Sequence, residues 1–467
     1  MTFQPLLHML ENYKGLMEYF NFRARKSNPS DSTSRYLLKY HYKSDDVKKM
    51  YRAKKSLIGL VFSIFFFTCA ASFSKADNGL FAAIEKVPLP TEVGAQEASL
   101  TSKDGILYMT WMEQVNTQTK VMFSMKTASG WSKPTSVHIG YDLFVNWADF
   151  PSIAVLSDKT IAVHWLQKIG NSSFDYQINI ALSSDNGQTW SNPKILHEDR
   201  SPVQHGFVSM TPSKEKLLTI IWLDGRTYGV KLGETKNVTE AMQLRATTIT
   251  SDGIIGKEVA IDKRTCSCCQ TSITVTDKGT VIAAYRDRSE DEIRDISIAR
   301  LERNGWQEPF SLNDDGWEIS GCPVNGPAIS SIDKLVAVAW FTGAKGVSAV
   351  KIAFSDDDGK SFATPFSIEH QDPIGRIDLE MLPDGSALVS WVEWVDGNEV
   401  ISICRASQKH GCKTQQRLVL NAGNESLNFP KLERVNEDIY LVWTQPDETG
   451  DNLSMLRLSL QPIEPFT

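Results

Sequence analysis

The chain has 467 residues, of which 22% are charged and 41% hydrophobic, the proportions of an ordinary globular protein. Residues 1–76 hold 13 Lys and Arg against 5 Asp and Glu, which leaves 36 basic and 51 acidic residues, a net charge of −15, on residues 77–467. So acidic a body argues against nucleic acid as a partner, because binding to nucleic acid depends on basic patches.

The N-terminal region has the parts of an export signal. Residues 57–71 form an apolar run that follows basic residues and precedes the small residues around Lys75. This run is shorter than the roughly 20 residues that a membrane span needs. We therefore expect a cleaved signal peptide over 50–76 that starts at Met50. Residues 1–49 would then be upstream sequence. The alternative is a cytoplasmic tail on an uncleaved signal anchor, the chain's one link to a membrane.

A short apolar segment that ends in an aromatic residue recurs along residues 77–467. The seven aromatic residues are Trp111, Trp165, Trp222, Tyr285, Trp340, Trp391 and Trp443. Successive aromatics are 51 to 63 residues apart, and a near-constant period of this size built from short strands is typical of the four-stranded blades of a β-propeller. The sequence therefore predicts an all-β fold of seven blades in a single domain, with six blades as the alternative if one repeat is an insertion.

The last repeat is one strand short. After Trp443 only the segment 453–460 remains, whereas residues 80–89 precede the first repeat. We expect this N-terminal segment to complete the last blade, because an open sheet edge is a liability.

Two stretches share the pattern S-x-D-x-G-x-[TS]-[WF]. One runs from Ser183 through Asp185 and Gly187 to Trp190, and the other from Ser355 to Phe362. An Asp that accepts loop N–H groups and a Gly at positive φ are typical of a tight hairpin turn. The pattern resembles the Asp-box (BNR) repeat of sialidase-like β-propellers. These turns join the third and fourth strands of a blade. They therefore fall at the end of the blade opposite the channel mouth described below, and Asp185 is expected to be structural.

Two sets of polar residues are expected at one mouth of the central channel, because the first strand of a blade starts where the second ends. The first set precedes the innermost strands: Gln96, Asp149, His205, Gln270, Asn325, Arg376 and Asn428. The second set lies two residues beyond each aromatic: Glu113, Gln167, Asp224, Asp287, Thr342, Glu393 and Gln445. Arginines join them at positions 226, 286, 288, 294 and 376, and arginine suits bidentate binding of a carboxylate.

The resemblance to sialidases implies roles for these residues. Sialidases hold the sugar carboxylate with three arginines and use an Asp acid and a Tyr nucleophile assisted by Glu, outside the paired-carboxylate scheme. The matching candidates here are Arg226, Arg286 and Arg376 for the clamp, Asp149 for the acid, and Tyr228 or Tyr285 with Glu393 for the nucleophile pair. Further candidates for substrate binding are Arg288, His205, Asn325 and Asp287.

Each of these residues also has a structural interpretation. Tyr285 stands at the aromatic position of its repeat, which favours a place in the core. Residues 286–295 alternate in charge and could form an ion-pair network on a loop. His205 could be a hydrogen-bond partner that lines the channel.

Six cysteines lie beyond the signal: Cys266, Cys268, Cys269, Cys322, Cys404 and Cys412. An even number in an exported chain predicts disulfides, and Cys404 with Cys412 would close a hairpin. The Cys266-Ser-Cys268-Cys269 cluster with Cys322 leaves its pairing open, and its spacing matches no standard zinc pattern.

The leading hypothesis is a secreted or periplasmic sialidase-like glycoside hydrolase that acts on an acidic sugar without a cofactor or metal. The alternative is a propeller that binds a carbohydrate or a protein without catalysis, since this fold hosts many functions. A third hypothesis gives the Cys266 cluster a metal- or redox-linked role.

Overall fold

The computed structural model describes residues 79–213, 216–227, 241–369, 371–418, 426–447 and 450–461. These residues form thirty strands, one 3-10 turn at Ala344–Gly346, and seven antiparallel sheets. The all-β propeller of seven blades is thereby confirmed, and the six-blade alternative is wrong. The predicted upstream segment 1–49 and signal 50–76 lie outside the described residues. Within the described ranges no helix is long and apolar enough to span a membrane.

The first three blades run in chain order from the innermost to the outermost strand. Their strands, after the N-terminal strand β1 (Phe81–Lys86), are β2 (Ala95–Lys103), β3 (Ile106–Val115), β4 (Gln118–Thr127), β5 (Gly130–Trp131) and β6 (Thr135–Gly140) in blade 1; β7 (Ser152–Val155), β8 (Ile161–Lys168), β9 (Tyr176–Ser183) and β10 (Lys194–Ile195) in blade 2; and β11 (His205–Pro212), β12 (Leu217–Asp224), β13 (Met242–Thr250) and β14 (Val259–Thr265) in blade 3.

The remaining blades repeat this order. Their strands are β15 (Ser272–Val275), β16 (Val281–Arg286), β17 (Ile296–Glu302), β18 (Gly305–Trp306) and β19 (Phe310–Ser311) in blade 4; β20 (Ala328–Ile332), β21 (Leu335–Thr342), β22 (Ala349–Ser355) and β23 (Phe366–Ser367) in blade 5; β24 (Asp372–Met381), β25 (Ala387–Val395), β26 (Asn398–Ser407) and β27 (Gly411–Leu418) in blade 6; and β28 (Lys431–Val435), β29 (Asp438–Asp447) and β30 (Gly450–Leu460) in blade 7.

The N-terminal strand closes the ring as expected. Strand β1 pairs antiparallel with β30 and becomes the outermost strand of blade 7, with Phe81 opposite Leu460 and Lys86 opposite Leu456. Leu80 and Phe81 are buried against the core of blades 6 and 7. The first and last strands of the described chain are therefore held in one sheet, and the edge of β30 is covered.

The repeated aromatics form the packing between blades. Trp111, Trp165, Trp222, Trp340 and Trp391 are fully buried. The strands that carry them are buried on both faces because each blade lies between two others. This explains why their sequences are apolar without alternation.

The two turns with the pattern S-x-D-x-G-x-[TS]-[WF] adopt the same hydrogen-bonded loop. The Thr189 N–H and hydroxyl donate to the Asp185 carboxylate at 2.9 and 2.6 Å, and Ser361 does the same to Asp357 at 3.0 and 2.7 Å. These bonds lower the pKa of Asp185 to about 2. The turns join β9 to β10 and β22 to β23, the third and fourth strands of blades 2 and 5, as predicted.

Four of the six candidate cysteines form disulfides, Cys404–Cys412 within blade 6 and Cys268–Cys322 between two inter-blade connections. Cys266 and Cys269 are free thiols, so the prediction that all six pair in disulfides is wrong for these two. Both are buried within the Cys266–Cys269 segment, where their sulfurs face each other rather than a cysteine elsewhere in the described chain.

Candidate active site

The strand register agrees with the expected placement of the two polar sets. His205 at the start of β11 pairs with Asp224 at the end of β12, and Ala95 at the start of β2 pairs with Glu113 near the end of β3. In blade 6, Pro373 pairs with Glu393. The starts of inner strands and the ends of second strands therefore share one side of each blade.

Several members of the first set bond one blade to the next. The Asn325 side chain accepts the Arg376 N–H at 2.8 Å and donates to the Ile374 carbonyl at 3.0 Å. The Gln270 side chain accepts the Gly326 N–H at 3.2 Å, and Asn428 donates to Glu97 at 2.8 Å. These side chains are thus occupied with ring closure. Asn325 in particular is a positioning residue between blades 5 and 6.

Three members of the second set accept a hydrogen bond from the indole two residues earlier. The donors are Trp111 to Glu113 at 2.8 Å, Trp222 to Asp224 at 2.9 Å and Trp391 to Glu393 at 3.1 Å. All three carboxylates are buried. Since residues i and i+2 lie on the same face of a strand, the motif W-x-[DE] satisfies a buried indole N–H in each of these three blades.

A cavity of about 810 Å³ opens at this side of the ring, above blades 2 and 3. Aromatic side chains form much of its wall: Phe144, Trp147, Phe174, Tyr176 and Phe207. Trp147 and Phe174 are 40% and 60% exposed. Such a concave, mostly apolar surface with a few polar groups is typical of sites for small molecules.

Asp149 lies where this cavity meets a narrower one of about 340 Å³ lined by the innermost strands. The side chain is 3% exposed, and its Oδ1 accepts the Phe207 N–H at 2.8 Å. Gly206 gives it room, because a Cβ there would clash with the carboxyl group. Burial raises the pKa of Asp149 to about 7, against the lowering by its hydrogen bonds. The carboxyl group can therefore exchange a proton near neutral pH.

Tyr176 is the second partner of Asp149. Its hydroxyl donates to Asp149 Oδ2 at 3.1 Å, and its ring stacks on Phe144 at 4.1 Å between centroids. Burial, together with the Asp149 charge, raises the pKa of Tyr176 well above its ordinary value. The phenol therefore stays protonated and serves as a hydrogen-bond donor to Asp149.

Arg226 is the one cationic side chain among the described residues that line the cavity. It donates to both oxygens of Asp224 at 2.7 Å and to Glu258 at 2.9 Å. Burial disfavours the charged form of Asp224, but Arg226 and His205 lower its pKa overall. Arg226 is thus held rigidly, with a side chain 22% exposed.

His205 lies behind this ion-pair network. It stacks on His197 at 3.8 Å, and its Nε2 lies 3.0 Å from Asp199 Oδ2. Asp199, His205 and Asp224 bring three atoms of the kinds that ligate metals, two carboxylate oxygens and one imidazole nitrogen, within 4.8 Å of one another. Because Arg226 binds both oxygens of Asp224, the group is satisfied as an ion-pair network.

Arg286, Arg288 and Asp287 do not line the cavity. Arg286 is buried, donates to the carbonyls of Asn325, Arg294 and Phe341, and stacks on Trp317. Arg288 binds Glu292, which also accepts from Arg294, so the loop network anticipated from the charge pattern is present. Asp287 accepts from Ser297 at 3.2 Å, and burial raises its pKa to about 6.

Tyr285 and Glu393 do not form a pair. Tyr285 is buried between blades 3 and 4, where its hydroxyl donates to Asp262 at 2.6 Å. Glu393 in blade 6 accepts from Trp391, from Ser402 at 2.7 Å and from Arg417 at 2.6 Å. Tyr228 lies outside the described residues.

Arg376 approaches the cavity from blade 6. Its guanidinium lies 5.3 Å from the ring of Trp147, and it also binds Glu399 at 2.7 Å and the Leu427 carbonyl. Trp147 in turn stacks on Phe429 at 5.6 Å. Sequence reasoning missed Trp147, Tyr176 and Asp175. Trp147 lies in the connection from β6 to β7, Asp175 lies in the loop from β8 to β9, and Tyr176 starts β9, all of them positions that the aromatic period does not mark.

No protein-family model matches the sequence, and no curated protein matches it. Among solved structures, the chain is similar to a protein of unknown function from Dyadobacter fermentans, with 15% identity over 68% of this chain and 97% of that one and a TM-score of 0.44. It is also similar to a polysaccharide lyase (10% identity, 84% and 94% covered, TM-score 0.47) and to a leech intramolecular trans-sialidase (10%, 76% and 83%, 0.44). Matches this distant say nothing about the substrate of this chain.

Proposed function

We propose that the protein binds a sugar in the 810 Å³ cavity and hydrolyses a terminal glycosidic bond, with Asp149 as the proton donor. The observation that carries this proposal is a buried carboxyl group with a pKa of about 7 in the wall of an aromatic cavity. A general acid works best when its pKa lies near the working pH. Trp147 and Phe174 offer exposed ring faces on which the apolar face of a sugar can lie.

The proposed chemistry needs a second group beside the acid. Asp175 also lines the cavity and accepts the Ser172 N–H at 2.9 Å. Two carboxyl groups on either side of the scissile bond are the usual arrangement in glycoside hydrolases. We assign the second role to Asp175 because Tyr176, buried and protonated, is a poor nucleophile, and because Tyr285 and Glu393 are occupied elsewhere.

A sialoside-type acidic sugar is the finer part of the proposal. Arg226 in the wall and Arg376 beside Trp147 would bind its carboxylate, whereas Arg286, whose donors face backbone carbonyls, is left out of the clamp. Because Arg226 already forms ion pairs with Asp224 and Glu258, the site also suits an uncharged sugar, and the test therefore includes neutral sugars. The two disulfides favour an oxidising compartment, secreted or periplasmic.

The test is turnover of a panel of fluorogenic glycosides, sialosides, uronosides and neutral sugars, between pH 4 and 8. We expect at least one to be hydrolysed by the wild-type protein and about 100- to 10,000-fold more slowly by Asp149→Asn. Asp185→Asn, the same change at the opposite end of the propeller, should keep full activity. No turnover of any glycoside would contradict the hydrolase proposal.

A second candidate is sugar binding without catalysis. It is favoured by the observation that Arg226 and Arg376 are already paired with carboxylates, as expected of a rigid binding surface. This candidate predicts a signal on a glycan array that survives Asp149→Asn but is lost in Trp147→Ala. Trp394→Ala is the matched control, because Trp394 is exposed to a similar degree and lies outside the cavity.

A further inference from the structure

Four cysteines meet at one edge of the cavity. Cys266, Cys268 and Cys269 lie in the connection from β14 to β15, and Cys322 lies in the connection from β19 to β20. The Cys268–Cys322 disulfide joins these connections and lines the cavity, with Cys322 exposed to solvent. This disulfide is therefore open to small molecules.

Two free thiols lie directly behind that disulfide. The Cys266 sulfur is 3.8 Å from the Cys268 sulfur and 3.4 Å from the Cys269 sulfur. Both thiols are fully buried, and the described residues contain no other free cysteine. The sulfurs thus form a chain in van der Waals contact, from Cys269 through Cys266 to the Cys268–Cys322 bond.

The surroundings of Cys266, the middle cysteine in this row of sulfurs, favour its thiolate form. Arg294 Nη1 lies 3.4 Å from the Cys266 sulfur. The Cys269 thiol, the Cys268 N–H and Arg294 lower the pKa of Cys266 to about 6 against the effect of burial, while burial raises the pKa of Cys269 well above its ordinary value. At neutral pH Cys266 is the nucleophile and Cys269 holds its proton. The nearby arginine disfavours a metal cation at the same sulfurs.

We propose that these four cysteines form a thiol–disulfide exchange site, in which the buried Cys266–Cys269 pair and the cavity-facing Cys268–Cys322 pair share one disulfide. In the first step the Cys266 thiolate attacks the Cys268 sulfur, the Cys268–Cys322 bond breaks, and its electron pair leaves on Cys322. In the second step Cys269 gives its proton to the Cys322 thiolate and attacks Cys266, and Cys268 leaves as a thiolate.

The exchange needs no outside oxidant, since one disulfide forms as another breaks. Its product places two thiols in the wall of the cavity, where a small thiol, disulfide or alkylating agent can reach them. The product also unties the two inter-blade connections that Cys268–Cys322 holds together. The inference stands apart from the proposed glycosidase activity, because it depends on the four cysteines and Arg294 and not on Asp149.

The test is trapping with excess N-ethylmaleimide on the folded protein without reductant, followed by peptide mapping. We expect labels on Cys268 and Cys322 and a new Cys266–Cys269 disulfide, while Cys404–Cys412 stays closed as the internal control. The labelling rate should rise about tenfold from pH 5 to pH 7, as the thiolate fraction of a group with a pKa of about 6 does.

Two variants separate exchange from simple unfolding. In Cys266→Ser the Cys268–Cys322 disulfide should stay closed and unlabelled. In Cys269→Ser the reaction should stop at a Cys266–Cys268 disulfide with a label on Cys322. Labels on Cys266 and Cys269 with Cys268–Cys322 intact, no labelling of Cys322 in the wild type, or stoichiometric zinc or copper in the purified protein would each overturn the proposal.

Discussion

The hydroxyl of Tyr176 donates a hydrogen bond of 3.1 Å to Oδ2 of Asp149, at the junction of the outer cavity and the central channel. The bond stabilises the ionised form of a carboxyl group whose pKa burial raises to about 7. Burial and hydrogen bonding oppose each other, so the Tyr176 hydroxyl, together with the Phe207 N–H, limits how far the pKa of Asp149 rises.

Replacing Tyr176 by Phe should move the alkaline limit of activity upward. The change removes the hydroxyl and keeps the ring that stacks on Phe144, so the pKa of Asp149 rises further while the fold is kept. A pH–rate profile of Tyr176→Phe checks this. An alkaline limb at the same pH as in the wild type would show that the hydrogen bond does not change the pKa of Asp149. An alkaline limb shifted to lower pH would contradict the predicted direction of the pKa shift.

Asp149→Asn should change the pH dependence of stability. The pKa of Asp149 rises from an ordinary 3.8 to about 7 on folding. Its ionisation therefore leaves the free energy of unfolding unchanged below pH 4, lowers it increasingly between pH 4 and 7, and lowers it by a constant amount above pH 7. The asparagine avoids this cost, which is of the order of 4 kcal/mol. The difference in Tm between variant and wild type should therefore grow in favour of the variant from pH 4.5 to pH 8. An equal difference at both pH values would mean that Asp149 does not titrate in this window.

Glu393→Ala should reduce stability rather than the turnover of the folded protein. The change leaves the indole of Trp391, the hydroxyl of Ser402 and the guanidinium of Arg417 without their shared acceptor. We expect a loss of about 2–4 kcal/mol in the free energy of unfolding, measured by denaturant titration. Glu393→Gln, which keeps an acceptor, should lose less. A specific loss of kcat at unchanged stability would return Glu393 to the catalytic set.

Phe81→Ala should weaken the closure of the ring. Phe81 is buried in strand β1, whereas Ile84 in the same strand is 42% exposed. We expect Phe81→Ala to cost about 3–5 kcal/mol and Ile84→Ala less than about 0.5 kcal/mol, read from the midpoints of denaturant unfolding. Equal effects of the two changes would contradict the role of β1 as a packed strand of blade 7.

The repeat fold was predictable because each blade repeats one physical problem. A strand buried on both faces needs apolar residues and a large ring, and Trp111 and Trp391 meet that need with the same spacing to an acidic partner. The missing strand of blade 7 and the position of the Asp185 and Asp357 turns followed from the same count. The sequence pattern therefore predicts the blade repeat, the closing strand and the position of the turns.

The site was only partly predictable. The rule that residues before the innermost strands lie at the channel mouth applies equally to Asp149 and to Asn325. Only the contacts in the structure show that Asp149 is an acid at the cavity and that Asn325 bonds one blade to the next. Tyr285 is the aromatic residue of its repeat and lies in the core, whereas Tyr176 begins β9 at a position that the repeat pattern does not mark. The bonding of Arg286 to three carbonyls depends on the path of the chain in blades 4 and 5, which composition does not reveal.

The most direct test of the account is the pH–rate profile of the wild-type protein and Asp149→Asn on the best glycoside of the panel. The account predicts a wild-type rate that falls above pH 7, as Asp149 loses its proton, and a variant about 100- to 10,000-fold slower. A variant that keeps wild-type turnover, or a wild-type rate that rises through pH 7, would contradict the assignment of Asp149 as the acid.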